Sequence, residues 1–485
     1  MPATTREKIS AVDTAWLRMD RPQNLMMICG VLLFRERVAH SRLRALVEER
    51  FLVFPRFRQR ALQMPGFCVW ETDREFDLND HVVRARLPGK GDRDALEALV
   101  SRLIASPLDA ARPMWQFHLV ENFDGGSALV ARIHHCYADG MALVRVMLSM
   151  TDRSAQGPAA MPFERKHRNE QSSPFDALLQ PLNGVMKAAK RIGATIVERG
   201  AGIWQHPAQA IELANQGSLL TGEAARLALM GEDSRTRFKG RVNIAKRVAW
   251  ADPLNLDEVK TVGKALQATV NDVLLSCVAG ALRSYLVAKG DAVDDVHMRA
   301  LVPINLRPLE KAYKLGNRFG LVFLDLPIGI ENPVERLYAV RANMNALKGS
   351  YQPLLAMGIL AAMGAGPRLL QDGILNVLSK NASAVMTNVP GPREPLYLAG
   401  ARIDGLMFWV PQSGDIGMGV SIISYAGEVR FGLVTDRGLC PDPERVIDRF
   451  AHEFEMLLLT TLLSPWPREG ELDPEQAAAA VAKFG

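Results

Sequence analysis

Ala131-Arg-Ile-His134-His135-Cys136-Tyr137-Ala138-Asp139-Gly140 is the stretch whose reading decides the fold of this 485-residue chain. It continues an apolar strand-like run, Ala128-Leu-Val-Ala-Arg-Ile, and a helical pattern resumes after Gly140 through Met150. In extended backbone, adjacent side chains point to opposite faces, so His134 and His135 cannot both face one cavity. One can be the base while the other supports it from the opposite side. A neutral histidine at the mouth of a cleft is suited to taking a proton from an alcohol near neutral pH. It can then return that proton to a leaving thiolate. Asp139 falls at the strand-to-helix turn, and Gly140 is expected to allow a tight backbone approach there.

Working outward, Trp115 to Glu121 and Ser127 to His135 read as two strands joined by Asn-Phe-Asp-Gly-Gly at 122–126. Residues 26–34 look like a strand, 41–52 like a helix with Ser41 as N-cap, and 93–106 like a second amphipathic helix. From about 153 to 175 the composition shifts to Ser, Gln, Gly and Pro with a charge cluster, which is a linker signature. Residues 176–230 are helical in composition, and 177–204 combine apolar positions with Lys187, Lys190 and Arg191, as in helices that lie on anionic membranes. Mixed pattern returns after Arg241: a helix over Val270–Leu286, strands at Arg299–Ile304, Leu321–Pro327 and Ala384–Thr387, and a hairpin turning at Ala426-Gly427. Pro443–Leu463 reads as a closing helix. The fold class is therefore α/β with mixed sheets. It divides into an N-terminal half over 1–160, a helical connector over 161–240 and a C-terminal half over 241–485.

Composition sets bounds on function. Apolar residues make up 48% and charged residues 23% of the chain, an ordinary globular balance that argues against general disorder. The 58 Lys and Arg against 53 Asp and Glu leave only +5, and no dense basic stripe interleaved with aromatics points to nucleic acid. The five cysteines (Cys29, Cys68, Cys136, Cys277, Cys440) are far apart with neither zinc nor redox spacing, which fits a reducing compartment. No apolar h-region follows the charged N-terminus, so no signal peptide is expected. The uncharged stretch 349–367 contains Pro353 and Pro367 and reads as a core helix rather than a membrane span.

At the histidines the chain resembles a known family. His134-His135-x-x-x-Asp139-Gly140 matches the motif of coenzyme A-dependent acyltransferases of the chloramphenicol-acetyltransferase-like superfamily. Within it, the chain is similar to bacterial wax ester synthases/diacylglycerol acyltransferases over nearly its whole length. The resemblance rests on Ser10-Ala-Val-Asp13, Asn24-Leu-Met-Met-Ile, Pro113-Met-Trp115, Asn271-Asp272, Asn388-Val-Pro-Gly-Pro392, and Gly419 to Asp436. It implies two chloramphenicol-acetyltransferase-like domains with an active-site tunnel between them. His135 would be the general base, and Asp139 would be structural, held by Arg58, Arg60 or Arg307. Asn271, in the pair with Asp272, would polarise a group at the site; its bland alternative is a helix N-cap. The implied reaction moves a fatty acyl group from long-chain acyl-CoA, a substrate rather than a cofactor, to a long-chain alcohol or diacylglycerol. The products are wax esters or triacylglycerol, and no cofactor or metal is called for. The protein would be cytoplasmic and peripherally bound to the inner membrane or lipid inclusions.

Competing readings leave their own signatures. His134-x-x-x-x-Asp139 also fits glycerophosphate acyltransferases, but no Pro-Glu-Gly-Thr-like phosphate-binding segment follows. A metal on His135 and Asp139 lacks a third ligand. A serine hydrolase would need a Gly-x-Ser-x-Gly elbow, and none is found. Cys136 would point away from His135 on a strand and reads as packing. A peptide-forming condensation domain shares the motif, and a non-catalytic lipid-binding or lipid-droplet protein could retain the fold.

Overall fold

The computed structural model of the chain describes residues 6–156, 230–306, 316–317, 319–348, 350 and 352–464. The first half contains β1 (Arg6–Lys8), α1 (Ala11–Met19), β2 (Met27–Phe34), α2 (His40–Leu46), β3 (Gln59–Met64) and β4 (Phe67–Thr72). It continues with β5 (Val82–Ala85), α3 (Arg93–Ile104), β6 (Trp115–Phe123), β7 (Gly126–His134), α4 (Gly140–Ser149) and β8 (Thr151–Asp152). The second half begins with β9 (Lys246–Trp250), β10 (Leu254–Asn255), α5 (Leu256–Ala265), α6 (Val270–Ala288), β11 (His297–Asn305) and β12 (Phe319–Pro327). Helices α7 (Pro333–Leu347), α8 (Gln352–Ala365) and α9 (Arg368–Asn381) come next. Strands β13 (Ala384–Pro390), β14 (Tyr397–Leu398), β15 (Ala401–Trp409), β16 (Met418–Tyr425) and β17 (Glu428–Asp436) precede the closing helix α10 (Glu444–Leu463).

Strand β7 is the spine of the first half. It lies antiparallel between β6 and β2, and all nine of its residues are buried. The β6–β7 turn is shorter than the sequence suggests. Only Asp124 and Gly125 form it, with φ of 47° and 77°, the left-handed pair that matches the twist of a two-residue hairpin. Alternation then sorts the side chains. Leu129, Ala131 and Ile133 join the core under α1, whereas Ala128 and Val130 join a smaller core under α3.

The second half is a seven-stranded sheet in the order β10-β17-β16-β13-β11-β12, with β9 also on β17. Parallel pairs (β11–β13 and β13–β16) sit beside antiparallel ones, as expected for mixed sheets. Its core helix α6 is buried along most of its length. By length and composition alone α6 is also apolar enough to cross a membrane, and its burial against α10, α7 and the sheet accounts for that apolarity.

The first half's sheet has the order β5-β6-β7-β2-β15-β14-β8. Strand β15, from the far end of the chain, therefore pairs with β2, with Trp409 opposite Cys29 and Phe408 opposite Gly30. A division at residue 241 does not foresee this crossing.

Local expectations meet several corrections. Ser41 is not the cap of α2; Ala39 is, with no side-chain hydrogen bond, and the helix passes into a π-helical turn over Val47–Phe51. The uncharged stretch does form a helix, α8, which packs closely on α1. A Cβ at Gly364 would lie 1.6 Å from the Ala11 carbonyl oxygen. The basic segment 177–204 and most of the 161–240 connector lie outside the described residues.

Candidate functional site

The strand order of the first half brings the two histidines to the end of β7, where the backbone is held on both sides. His134 N–H donates to the Met114 carbonyl (3.0 Å) and His135 N–H to the Met26 carbonyl (2.7 Å). The segment Pro113-Met-Trp115 thereby becomes a bracket. Met114 N–H donates to the Tyr137 hydroxyl (3.0 Å), which donates to the Gln59 carbonyl (2.6 Å), and the Trp115 indole N–H donates to the Phe57 carbonyl (2.8 Å). Asp139 then caps α4, its Oδ1 accepting from Ala142 N–H at 2.8 Å.

The rings diverge as the strand geometry requires. His135 lies flat on the Trp16 indole, centroids 4.2 Å apart, and meets the Phe319 ring from the second half at 5.6 Å. Burial lowers its pKa to about 4, against the opposing charge of Asp139 and the Asn317 side chain. His134 points the other way. Burial takes it to about 3, aided by the neighbouring His135. Its Nδ1 accepts from Cys136 N–H (3.2 Å), so the neutral ring carries its proton on Nε2, which sits 3.9 Å from Asp20 Oδ1. Both imidazoles are neutral near pH 7.

A cavity of about 260 Å³ opens beside the turn, walled by Leu17, Asp20, Arg21, Gln63 and Met114 together with His134. His135 is not in its wall. Its ring is instead packed against Trp16 and Phe319. Gly140 does not serve a close approach: a Cβ there would meet nothing within 4 Å, and its φ is not left-handed. Its lack of a side chain leaves open space beside Asp139 instead. Cys136 is fully buried and its thiol pKa is pushed well above the ordinary value by burial, which fits packing and not nucleophilic attack.

Two of the three arginines proposed for Asp139 are engaged elsewhere. Arg60 pairs with Glu71 (2.6 Å), and the Arg58 guanidinium lies over the Phe76 ring at 5.6 Å. Those two are thereby corrected: each already has a partner on its own side of the half. Arg307 lies outside the described residues.

Asn271 and Asp272 have separate tasks. Thr269, not Asn271, caps α6, and Asp272 completes a capping box by accepting from Thr269 N–H at 2.8 Å. Asn271 is buried and accepts from Asn388 Nδ2 at 2.6 Å, joining two motifs that are far apart in sequence. Its own Nδ2 has no partner. That leaves a buried donor fixed in direction.

Sequence reasoning missed Trp16 and Asn317. Asn317 N–H and Nδ2 both donate to Asp13 Oδ1 (3.0 and 2.7 Å), and Nδ2 also donates to the His135 carbonyl (2.8 Å). Gly316 pairs with Ala138 in an isolated parallel bridge. The Ser10-Ala-Val-Asp13 motif is thus a cap followed by an anchor. Ser10 Oγ accepts from Asp13 N–H (3.1 Å), and the Asp13 carboxylate reaches into the second half. The one signal for Asn317 was its place beside Gly316 in the charged approach to β12, between Lys314 and Arg318.

Comparison with known proteins agrees with this arrangement. Residues 9–274 match the wax ester synthase/diacylglycerol acyltransferase catalytic domain, and residues 315–458 match the WS/DGAT C-terminal domain. The "Probable diacyglycerol O-acyltransferase tgs2" of Mycobacterium tuberculosis is 31% identical over 458 residues, covering 90% of this chain and 95% of that one. The "Probable diacyglycerol O-acyltransferase tgs1" of the same organism is 29% identical over 80% of this chain and 81% of its own length. Among solved structures, a wax ester synthase/diacylglycerol acyltransferase from Marinobacter aquaeolei VT8 superposes with a TM-score of 0.67 at 22% identity, covering 94% of this chain and all (100%) of that one. The first condensation domain of the calcium-dependent antibiotic synthetase shares the fold with a TM-score of 0.59 at 12% identity, covering 94% of this chain and 96% of its own. With both domain matches in order along the chain, the protein belongs to the wax ester synthase/diacylglycerol acyltransferase family.

Proposed function

We propose that this protein transfers a long-chain acyl group from acyl-CoA to the hydroxyl of a fatty alcohol or diacylglycerol, with His135 as general base. The observation that carries the reading is the position of the His135 imidazole, uncharged and clustered with the rings of Trp16 from one half and Phe319 from the other. The acceptor's O–H proton passes to the ring as its oxygen attacks the thioester carbonyl. The tetrahedral oxyanion collapses, the C–S bond breaks, and the imidazolium returns the proton to the departing thiolate. Asp139, close enough to stabilise the charged ring, favours that transient imidazolium. The thioester arrives already activated, so the reading requires no cofactor and no acyl-enzyme.

His134 is a second candidate because it lines the cavity. Its tautomer weighs against a basic role. With Nδ1 accepting from Cys136 N–H, the atom left for a ligand is an Nε2–H donor. Such a donor can orient an oxygen but cannot take a proton.

Peripheral contact with a lipid surface belongs to the same proposal, since both substrates are poorly soluble. Ile359 on α8 and Val377 on α9 are exposed apolar side chains consistent with it. The test is thiol release from palmitoyl-CoA with hexadecanol or diacylglycerol as acceptor. His135→Ala should lose about 10²- to 10⁴-fold in turnover while keeping its circular dichroism spectrum. Wild-type protein that releases no thiol with any acceptor would turn the reading toward a lipid-binding role. Failure to co-sediment with liposomes would remove the membrane part alone.

A further inference from the structure

The cavity on the His134 face of β7 plays no part in the chemistry assigned to His135, yet a buried polar atom stands at its wall. His134 is 3% exposed, and its Nε2 has no hydrogen-bond partner. Since Nδ1 accepts from Cys136 N–H, Nε2 carries the proton and is a donor. Asp20 Oδ1, from the same wall, lies 3.9 Å from Nε2. That gap is too long for a direct hydrogen bond and short enough for one oxygen to bridge. The carboxylate is held in place, because Oδ1 accepts from Met26 N–H at 2.7 Å. The Met26 carbonyl in turn accepts from His135 N–H at 2.7 Å.

The rest of the wall selects the molecule to which that oxygen belongs. Leu17, Leu25, Met27, Leu108 and Met114 make it apolar. A volume of about 260 Å³ has room for about eight water-sized groups, enough for a short alkyl segment. Exposed Gln63 marks the mouth. Beyond it on the same hairpin, Met64 and Phe67 pair across the turn as apolar side chains 36% and 44% exposed. Arg18 and Arg21 also reach the wall, but Arg18 grips the Gly364 and Gly366 carbonyls and Arg21 pairs with Asp372. An anionic head would be repelled by the Asp20 carboxylate. A hydroxyl satisfies both sides at once, accepting from His134 Nε2–H and donating to Asp20 Oδ1.

We infer that this cavity is a second lipid site, which holds the hydroxyl end of a neutral alkyl alcohol on the face of β7 opposite the base and leaves it unreacted. Calling it second rests on the reading of His135 as the base; its polar pair stands without that reading. Through Asp20 and Met26 the bound alcohol is tied to the backbone that positions His135.

The test uses full-length protein without acyl-CoA, titrated calorimetrically with 1-octanol, octanoate and methyl octyl ether. Octanol should bind saturably. Octanoate, which is repelled, and the ether, which cannot donate to Asp20, should each bind at least about tenfold more weakly. In ¹⁵N-histidine-labelled protein, octanol should shift the His134 Nε2 signal, assigned by its loss in His134→Gln. Asp20→Ala should weaken octanol binding by about tenfold, and Leu108→Trp, which fills the cavity, should abolish it. In thiol release from palmitoyl-CoA, Leu108→Trp should keep its KM for octanol within about twofold, since an alcohol on this face cannot reach His135. No saturable binding, or an unmoved His134 signal in the wild type, would overturn the inference and leave the cavity to water. Equal binding of the ether would overturn it too, as would octanol binding that Leu108→Trp leaves intact. A KM for octanol that rises in step with the lost binding would make this the reacting alcohol's own site and overturn the inference as well. Octanol binding that follows the variants in a protein releasing no thiol would uphold the site and defeat the acyltransferase reading instead.

Discussion

The Trp16 indole and the His135 imidazole are stacked, 20° between planes and 4.2 Å between centroids. Trp16 comes from the first helix and His135 from the end of the central strand, so the contact forms only when α1 lies across the sheet. It keeps water from the ring and holds the imidazole uncharged. The same burial makes the ring costly to protonate, and that cost appears in stability as well as chemistry.

Stability should therefore depend on acid. Folding lowers the pKa of His135 from an ordinary 6.5 to about 4, and that of His134 to about 3. The folded state thus binds fewer protons than the unfolded chain below pH about 6.5, and stability present above that pH is lost as pH falls toward these values. At pH 5 the loss is on the order of 2 kcal/mol for each ring. Urea unfolding at pH 7.5 and pH 5 should show it, and His135→Phe should reduce the difference. An unchanged difference in that variant would mean other groups carry it.

Asp139 has two effects that substitution can separate. Asp139→Ala removes the α4 cap and should cost about 1 kcal/mol in thermal unfolding, with a larger fall in kcat. Asp139→Asn keeps the acceptor for Ala142 N–H and should hold its Tm near wild type, while kcat still drops because the charge favouring the imidazolium is gone. Equal kcat in Asp139→Asn and wild type would leave the Asp139 charge without a part in catalysis.

Asn388 should matter through Asn271. Asn388→Leu strands the Asn271 carboxamide in a buried site and is expected to cost about 1–3 kcal/mol by denaturant titration. Replacing both asparagines with leucine should recover part of that loss, since no polar group is then left unpaired. A double variant less stable than the sum of the singles would contradict this.

Gly140→Ala tests the open space beside Asp139. Nothing in the fold resists the methyl group, and alanine is the better helix former, so Tm should stay level or rise. If a substrate occupies that space, KM for acyl-CoA or for the acceptor should increase. A fall in Tm would show that the position is crowded after all.

The parts legible in the sequence were those with local causes. The β6–β7 hairpin announced itself through Asp124-Gly125, the β16–β17 turn through Ala426-Gly427, and the opposite facing of His134 and His135 through strand geometry. Hidden parts depended on contacts distant in the chain. Asn317 meets Asp13 across 304 residues and His135 across 182, and Asn388 meets Asn271 across 117. No periodicity encodes such meetings. Arg58 and Arg60 failed as partners of Asp139 for the same reason: their charge was readable, but the neighbours that claim them, Phe76 and Glu71, were set by tertiary packing.

The loan of β15 to the first sheet has a practical corollary. A chain severed anywhere in the 161–240 region would give two fragments, the N-terminal one lacking the strand that belongs beside β2. Neither fragment alone should reproduce its part of the parent, yet mixed together they carry a complementary slot and insert. That property would suit a split reporter, in which turnover signals that two separately tagged partners have met.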